Sequence, residues 1–226
     1  MRPLLVLVAL LVAATAHADG APDFANAPLE PYPLDGIPRV IAPRGPVKCP
    51  EVDFTTYRGD VIPYHKPVRV YPGLKPKLIG LEELASEVAS EVYGRAPIRL
   101  RHAGSYNCRR IAAYPELLSE HGLGNGIDVV GFDFGPARGP LPPGVPRALR
   151  GSFDVRLGRD WTRDHGVGAL HARFLRTLAA RLIERTDLFR VLLGPAWPGH
   201  KGHFHFDMAP FRLIAIFDND PGAPGR

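Results

Sequence analysis

The strongest constraint on this chain is a strictly alternating run near its C-terminus, His203-Phe-His-Phe-Asp207. Alternation of polar and apolar residues is the pattern of a half-buried strand. Successive side chains of a strand point to opposite faces, so His203, His205 and Asp207 share one face while Phe204 and Phe206 anchor the other in a core. About eighty residues upstream lies Ser119-Glu-His121-Gly-Leu-Gly-Asn-Gly-Ile-Asp128. Gly122, Gly124 and Gly126 make a small-residue loop that permits close backbone approach. The loop leads into Ile127-Asp-Val-Val-Gly-Phe132, a β-branched run with Asp128 and Val130 on one face. If the two strands pair, Asp128 meets His205 across the ladder and His121 reaches in from the loop before it.

Four of the nine histidines (His121, His200, His203 and His205) fall in or beside these segments. His, Asp, His and a spare His form the ligand set of a catalytic zinc site with a general base at hand. Such a site holds three N or O ligands and leaves a fourth position open for water. Two imidazoles and one carboxylate suit zinc better than magnesium or calcium, which prefer oxygen shells. A His-x-His pair on a strand is by itself usually an ordinary polar pair. The joint pattern, with three glycines between His121 and Asp128, is what points to metal. His17, His65, His102, His165 and His171 have no motif around them and read as solvated or structural.

The remaining sequence sets the context. Residues 1–18 have the form of a secretory signal: Arg2, an apolar run from Leu4 to Ala14, and a small-x-small site ending at Ala18. Cleavage after Ala18 would make the protein periplasmic or secreted. The apolar run is too short to span a bilayer, so no transmembrane segment is expected. Residues 19–47, rich in Pro and Ala, read as an extended, partly disordered leader. Residues 48–226 then form one domain with room for a substantial core. Cys49 and Cys108 are the two cysteines; an oxidising compartment lets them close a disulfide, the alternative being two buried thiols. The formal net charge is +5, but the basic residues are scattered rather than bunched with aromatics, so no nucleic-acid footprint is expected. Such a charge in an exported protein suits an acidic or carboxylate-bearing partner.

Leu81, Leu84, Ala85, Val88 and Val92 fall at helical spacing and predict a helix ending near Gly94. A second helix, capped by Asp164, is predicted to run to about Arg185 with Leu170, Phe174, Leu178 and Leu182 on its inner side. Strands are predicted at Ile98–His102 and Val191–Leu193, and Leu213–Phe217 reads as a further apolar strand or tail. The Pro-rich stretch Pro136–Pro146 reads as a surface loop that could border the cleft. The expected fold class is α+β, a small central antiparallel sheet flanked by helices with the zinc site on the sheet face.

These motifs carry a resemblance. Ser119-x-His121-x-x-Gly124-x-Gly126-x-Asp128 followed by His203-x-His205 resembles the metal-binding pattern of the LAS-type zinc D-Ala-D-Ala carboxypeptidases and murein endopeptidases. More closely, Gly104-Ser-Tyr-Asn-Cys-Arg109, the His121 loop with Gly131-Phe132, Leu193-Gly-Pro195 and His203-Phe-His-Phe-Asp207 resemble the bacterial extensin-like C-terminal domain family. The sequence departs from that pattern at Gly126, where alanine is usual, and at Gly202, where an acidic residue is expected before the His-x-His.

The resemblance implies a LAS/Hedgehog-like metallopeptidase architecture with His121, Asp128 and His205 as zinc ligands. It implies that His203 is the base or a stabiliser of the tetrahedral intermediate. Arg109, with Arg110 as its rival, is implied to hold a substrate carboxylate or the developing oxyanion, a task that suits the guanidinium fork. The implied function is an exported zinc-dependent peptidase acting through a zinc-bound water on peptidoglycan or other cell-wall peptides, of D,D-carboxypeptidase or endopeptidase type. The alternative is a non-catalytic, zinc-stabilised cell-wall binding module. A periplasmic metal carrier fits less well, since it would hold more Met or His than this chain has.

Overall fold

A computed structural model describes residues 29–217. The expected signal, the first part of the leader and the residues from 218 onward lie outside that range. The elements run β1 (Thr55–Tyr57), β2 (Val68–Val70), α1 (Lys75–Tyr93), β3 (Arg99–Gly104), β4 (Arg110–Ile111), β5 (Tyr114–Leu118), β6 (Gly126–Phe134), β7 (Phe153–Arg156), α2 (Leu157–Asp160), α3 (Gly166–Glu184), β8 (Val191–Leu193), β9 (Phe204–Asp207) and β10 (Leu213–Ala215). This is the α+β mixture expected. No helix among the described residues is long and apolar enough to cross a membrane.

The nine-residue β6 is the spine of a six-stranded sheet. Along one edge it pairs antiparallel with β3, placing Leu100 opposite Phe132. Two strands share its other edge: β9 pairs with residues 126–129 and β7 with residues 131–134. β8 extends the sheet beyond β9, and β10 lies outside β8. The β8–β10 pair is parallel, so the sheet is mixed rather than wholly antiparallel. The chain turns back after β9 and passes over β8 to its far side. A strand running opposite to β9 there must lie parallel to β8.

The helices gather on one face. Phe174 of α3 meets Phe132 and Phe134 of β6 at ring separations of 5.3 and 5.8 Å, and Tyr93 of α1 meets Phe134 at 4.9 Å. Ile127, Val129, Phe204 and Phe206 enter the same core, each essentially without exposure. Burying a Phe of this kind contributes roughly 1.5–3 kcal/mol. The residues alternating with them therefore face away from the helices, and that opposite face carries Asp128 and His205.

Three expectations need correction. Asp164 does not cap α3: its carboxylate pairs with exposed His165, and His165 occupies the N-cap without a side-chain bond. The loop Pro136–Pro146 is irregular as expected, yet it follows the end of β6 remote from Asp128. With Gly94 and Arg95 its residues line a cavity of about 470 Å³, away from the site. Residues 29–47 are no loose leader. Tyr32 and Leu34 join the core, and Val40 bridges Leu117 of β5. A polar, Pro-rich stretch can be ordered when its few large residues find slots and its charges find partners, which composition alone does not reveal.

Cys49 and Cys108 form a disulfide, with Cα atoms 5.8 Å apart and 59 residues of separation. It fastens the segment before β1 to the turn after β3. A loop of that length corresponds to about 4 kcal/mol of chain-entropy stabilisation. Cys49→Ser with Cys108→Ser should lower the midpoint of thermal unfolding by roughly 10 °C relative to the oxidised wild type. A change below about 2 °C, on the same conversion, would show that the crosslink does not stabilise through loop closure.

Candidate metal centre

Three elements deliver the site. β6 and β9 pair in a register that sets Asp128 directly opposite His205, the juxtaposition the alternating patterns require. His121 comes from the short 3-10 turn Glu120–Leu123. Ser119 caps that turn, its hydroxyl accepting from the His121 N–H at 3.3 Å. The turn closes at Gly124, whose φ of 59° lies in the left-handed region. An added Cβ there would also stand 2.8 Å from the Phe54 ring. Glycine is therefore the residue that both the backbone and the packing allow.

Gly126 has a second role. It lies opposite Asp207 in the β6–β9 ladder, and a Cβ at this position would come within 2.9 Å of the Asp207 Cβ and 3.3 Å of the His205 ring. The departure from the usual alanine is thus tied to how closely these two side chains sit against β6.

The donor atoms converge. The Asp128 Oδ1 lies 2.9 Å from His205 Nδ1 and 3.2 Å from His121 Nε2, and those two nitrogens are 3.1 Å apart. Tetrahedral ligands at 2.0–2.2 Å from an ion stand roughly 3.3–3.6 Å from one another, so the set needs little opening to hold one. Both imidazoles are buried, and Asp128 is nearly so. The buried His121, Asp128 and His205 group can hold a metal ion.

What lies behind the donors fits that reading. The Nδ1 of His121 faces the carbonyl of Ser105, so Nδ1 carries a proton and Nε2 is the nitrogen turned to the site. On the other side, His205 Nε2 is 2.6 Å from the Asp207 Oδ2, which leaves Nδ1 as its donor atom. The other Asp207 oxygen accepts the Ala209 N–H at 2.8 Å. Carboxylate or carbonyl support on the far nitrogen is the usual device for orienting a metal-binding histidine and raising its basicity. With Gly202 in place of the expected acid, Asp207 supplies the outer carboxylate from the opposite end of the motif. The sequence carried its signal, since Asp207 shares the strand face of His205. The Ser105 carbonyl left none, because any residue has one.

The electrostatics follow from this crowding. Burial pushes the Asp128 carboxyl up, but hydrogen bonds to His121 and His205 outweigh it and hold it well below the usual carboxylate range. Burial lowers His205, yet its two carboxylate partners prevail and raise it to about 9. His203 stands just before β9, its Nε2 3.7 Å from Asp128 Oδ1, and is a quarter exposed. Burial depresses it, the Asp128 charge opposes that, and the charges of His205, His121 and Arg109 depress it further.

Arg109 is exposed, and its charge reaches His203. Arg110 is engaged elsewhere, donating to the Ala42 carbonyl at 2.8 and 3.1 Å. Of the two rivals, Arg109 is the one near the site. His200 also approaches, with its ring 4.7 Å from that of His203 and 5.9 Å from that of His205. Of the histidines read as structural or solvated, His102 and His171 are buried and His165 is exposed; His17 lies outside the described residues.

Residues 81–139 match the family model of the extensin-like protein C-terminus. The match supports an extensin-like domain in this stretch, which runs from within α1 through β6 and includes His121 and Asp128. It ends well before His203 and His205. No curated protein and no solved structure matches the chain.

Asp207→Asn preserves shape while removing the outer carboxylate. It should weaken binding of zinc, used as the probe ion, by about 10- to 100-fold with the fold intact. Competition against a chromogenic chelator measures this. An unchanged dissociation constant would show that Asp207 does not tune the site.

Proposed function

We propose that the protein is an exported, zinc-dependent peptidase acting on cell-wall peptides, related to the LAS-type carboxypeptidases and endopeptidases that its motifs resemble. The observation that carries this reading is the convergence of His121 Nε2, Asp128 Oδ1 and His205 Nδ1, each imidazole fixed from behind, with His203 alongside. A purely structural metal site is closed by four protein ligands, whereas three ligands leave a coordination position for chemistry. The mixed N/O donor set favours zinc over magnesium or calcium.

Zinc bound there supplies Lewis acidity and lowers the pKa of a water towards neutrality. The chain's own residues do the rest. Asp128, held ionised, balances the charge of the ion. His203, kept neutral near neutral pH, takes a proton at Nε2 and returns it to the departing amine. Arg109 offers its fork to a substrate carboxylate or to the oxyanion as charge develops. An oxidising compartment outside the cytoplasm accords with the Cys49–Cys108 disulfide. The choice of wall peptide rests on the motif resemblance and on the basic net charge of +5, which suits a carboxylate-rich polymer.

Protein purified without chelator should carry about one zinc per chain, the content set by a single three-ligand site. His205→Ala should lose zinc and turnover together. His203→Ala should keep most of the zinc and lose turnover by about 100-fold or more. Zinc-loaded protein incubated with purified peptidoglycan and soluble muropeptides should yield new products by mass spectrometry, absent from a chelated control. Loss of terminal D-Ala identifies a carboxypeptidase, and separation of cross-linked dimers an endopeptidase. Tight sedimentation with the wall and no product from any wall chemistry would replace this reading with the binding module.

A further inference from the structure

The segment from residue 30 to residue 41 wraps behind the loop that delivers His121, and its polar contacts converge on two residues of that loop. Arg39 forms a two-pronged ion pair with Glu120 at 2.7 and 3.1 Å, both side chains being almost fully buried. Arg39 also donates to the carbonyls of Leu34 and Ile37, so the guanidinium ties the segment to itself as well as to the loop. Tyr32 donates its hydroxyl to the Asn125 Oδ1 at 2.8 Å. Asn125 in turn donates to Glu120 Oε2 at 2.6 Å and to the Met208 carbonyl at 3.2 Å, and its own carbonyl receives the Met208 N–H.

These contacts bracket the metal centre. Glu120 immediately precedes His121, and Met208 immediately follows Asp207, which orients His205. One buried network therefore holds both the loop that carries His121 and the end of the strand that carries His205. Backbone pairing seats the segment further: Ile41 N–H donates to Glu116, and Leu118 N–H to Arg39. At the other end Arg190, buried, pairs with Asp35 and also donates to the Glu30 carbonyl.

We propose that residues 30–41 are a strap that sets the geometry of the metal centre, with Arg39 as its positioning residue, acting through Glu120 and Asn125. The inference rests on the metal-centre reading but not on the peptidase reading. The strap supplies none of the three donors; it ties together the two elements that carry His121 and His205, whose facing nitrogens lie 3.1 Å apart. Arg39 is the cation paired with the buried Glu120 carboxylate, next in the chain to His121.

Removing Arg39 alone would strand a buried charge, and that loss can unfold a protein outright. The test therefore uses Arg39→Met with Glu120→Gln, which deletes both charges, and Tyr32→Phe, which deletes one hydroxyl and keeps the ring. Arg39→Lys retains the charge without the fork. Zinc affinity is read by chelator competition, and ligand geometry by the visible absorption of the cobalt-substituted protein. The double variant should raise the zinc dissociation constant by about 10- to 100-fold, the range typical of outer-layer support, and shift the cobalt bands. Tyr32→Phe should raise it by about threefold, a single hydrogen bond's worth, and Arg39→Lys should fall between. A folded double variant with wild-type zinc affinity and an unaltered cobalt spectrum would overturn the proposal. If the double variant does not fold, Tyr32→Phe decides, and wild-type affinity there overturns it equally. A wild-type protein that binds no zinc refutes the metal centre and the strap together. One that binds zinc and cuts nothing refutes the peptidase reading and leaves the strap standing.

Discussion

The pairing of β6 with β9 is the contact on which the rest of the site depends. Four residues of each strand are in register, and that register places Asp128 against His205 and Gly126 against Asp207. Because side chains alternate, a slip of one residue would turn His205 into the core and Phe206 out of it. Phe204 and Phe206 guard against the slip. They pack with Phe189 and Trp161, and exposing either would forfeit several kcal/mol of burial. The apolar face of β9 thus enforces the position of its polar face.

Much of this was legible in the sequence because strand periodicity is a local signal with a geometric meaning. His203-Phe-His-Phe-Asp207 states which side chains share a face, and the glycine spacing before Asp128 states where the backbone must turn. The helix ending at Gly94 and the strand Val191–Leu193 were legible for the same reason. What the sequence hid was non-local. Strands of two to four residues such as β1, β4 and β7 are too short to show a period. Glu82 sits on the buried side of α1, where a carboxylate looks misplaced. Its oxygens accept from the Tyr57 hydroxyl and from the N–H groups of Asp60, Val61 and Ile62, so it organises the loop after β1. The packing of residues 29–47 was hidden likewise, since its anchors are partners distant in the chain.

The site illustrates how support is layered. The two donor imidazoles are backed by the Ser105 carbonyl and the Asp207 carboxylate, and beside these stand Glu120, Asn125 and Arg39. The disulfide adds a covalent tie beside them, since Asn107, next to Cys108, donates its N–H to the His121 carbonyl. Rotational freedom is removed from the donors although only Asp128 lies in a long element of secondary structure.

The separation of the donors along the chain has a consequence for folding. His121 and Asp128 are seven residues apart, but His205 lies 77 residues beyond Asp128, with β7, α3 and β8 between. Bringing donors so distant together costs loop-closure entropy, which must be met before their contacts reward it. An intermediate without β9 docked offers an ion two donors instead of three. An ion held by all three donors would therefore favour the completed sheet over that intermediate, by at most about 2.7 kcal/mol when free ion stands at a hundred times the dissociation constant. The same ion would slow the undocking of β9, fastening the strand that carries the most distant donor.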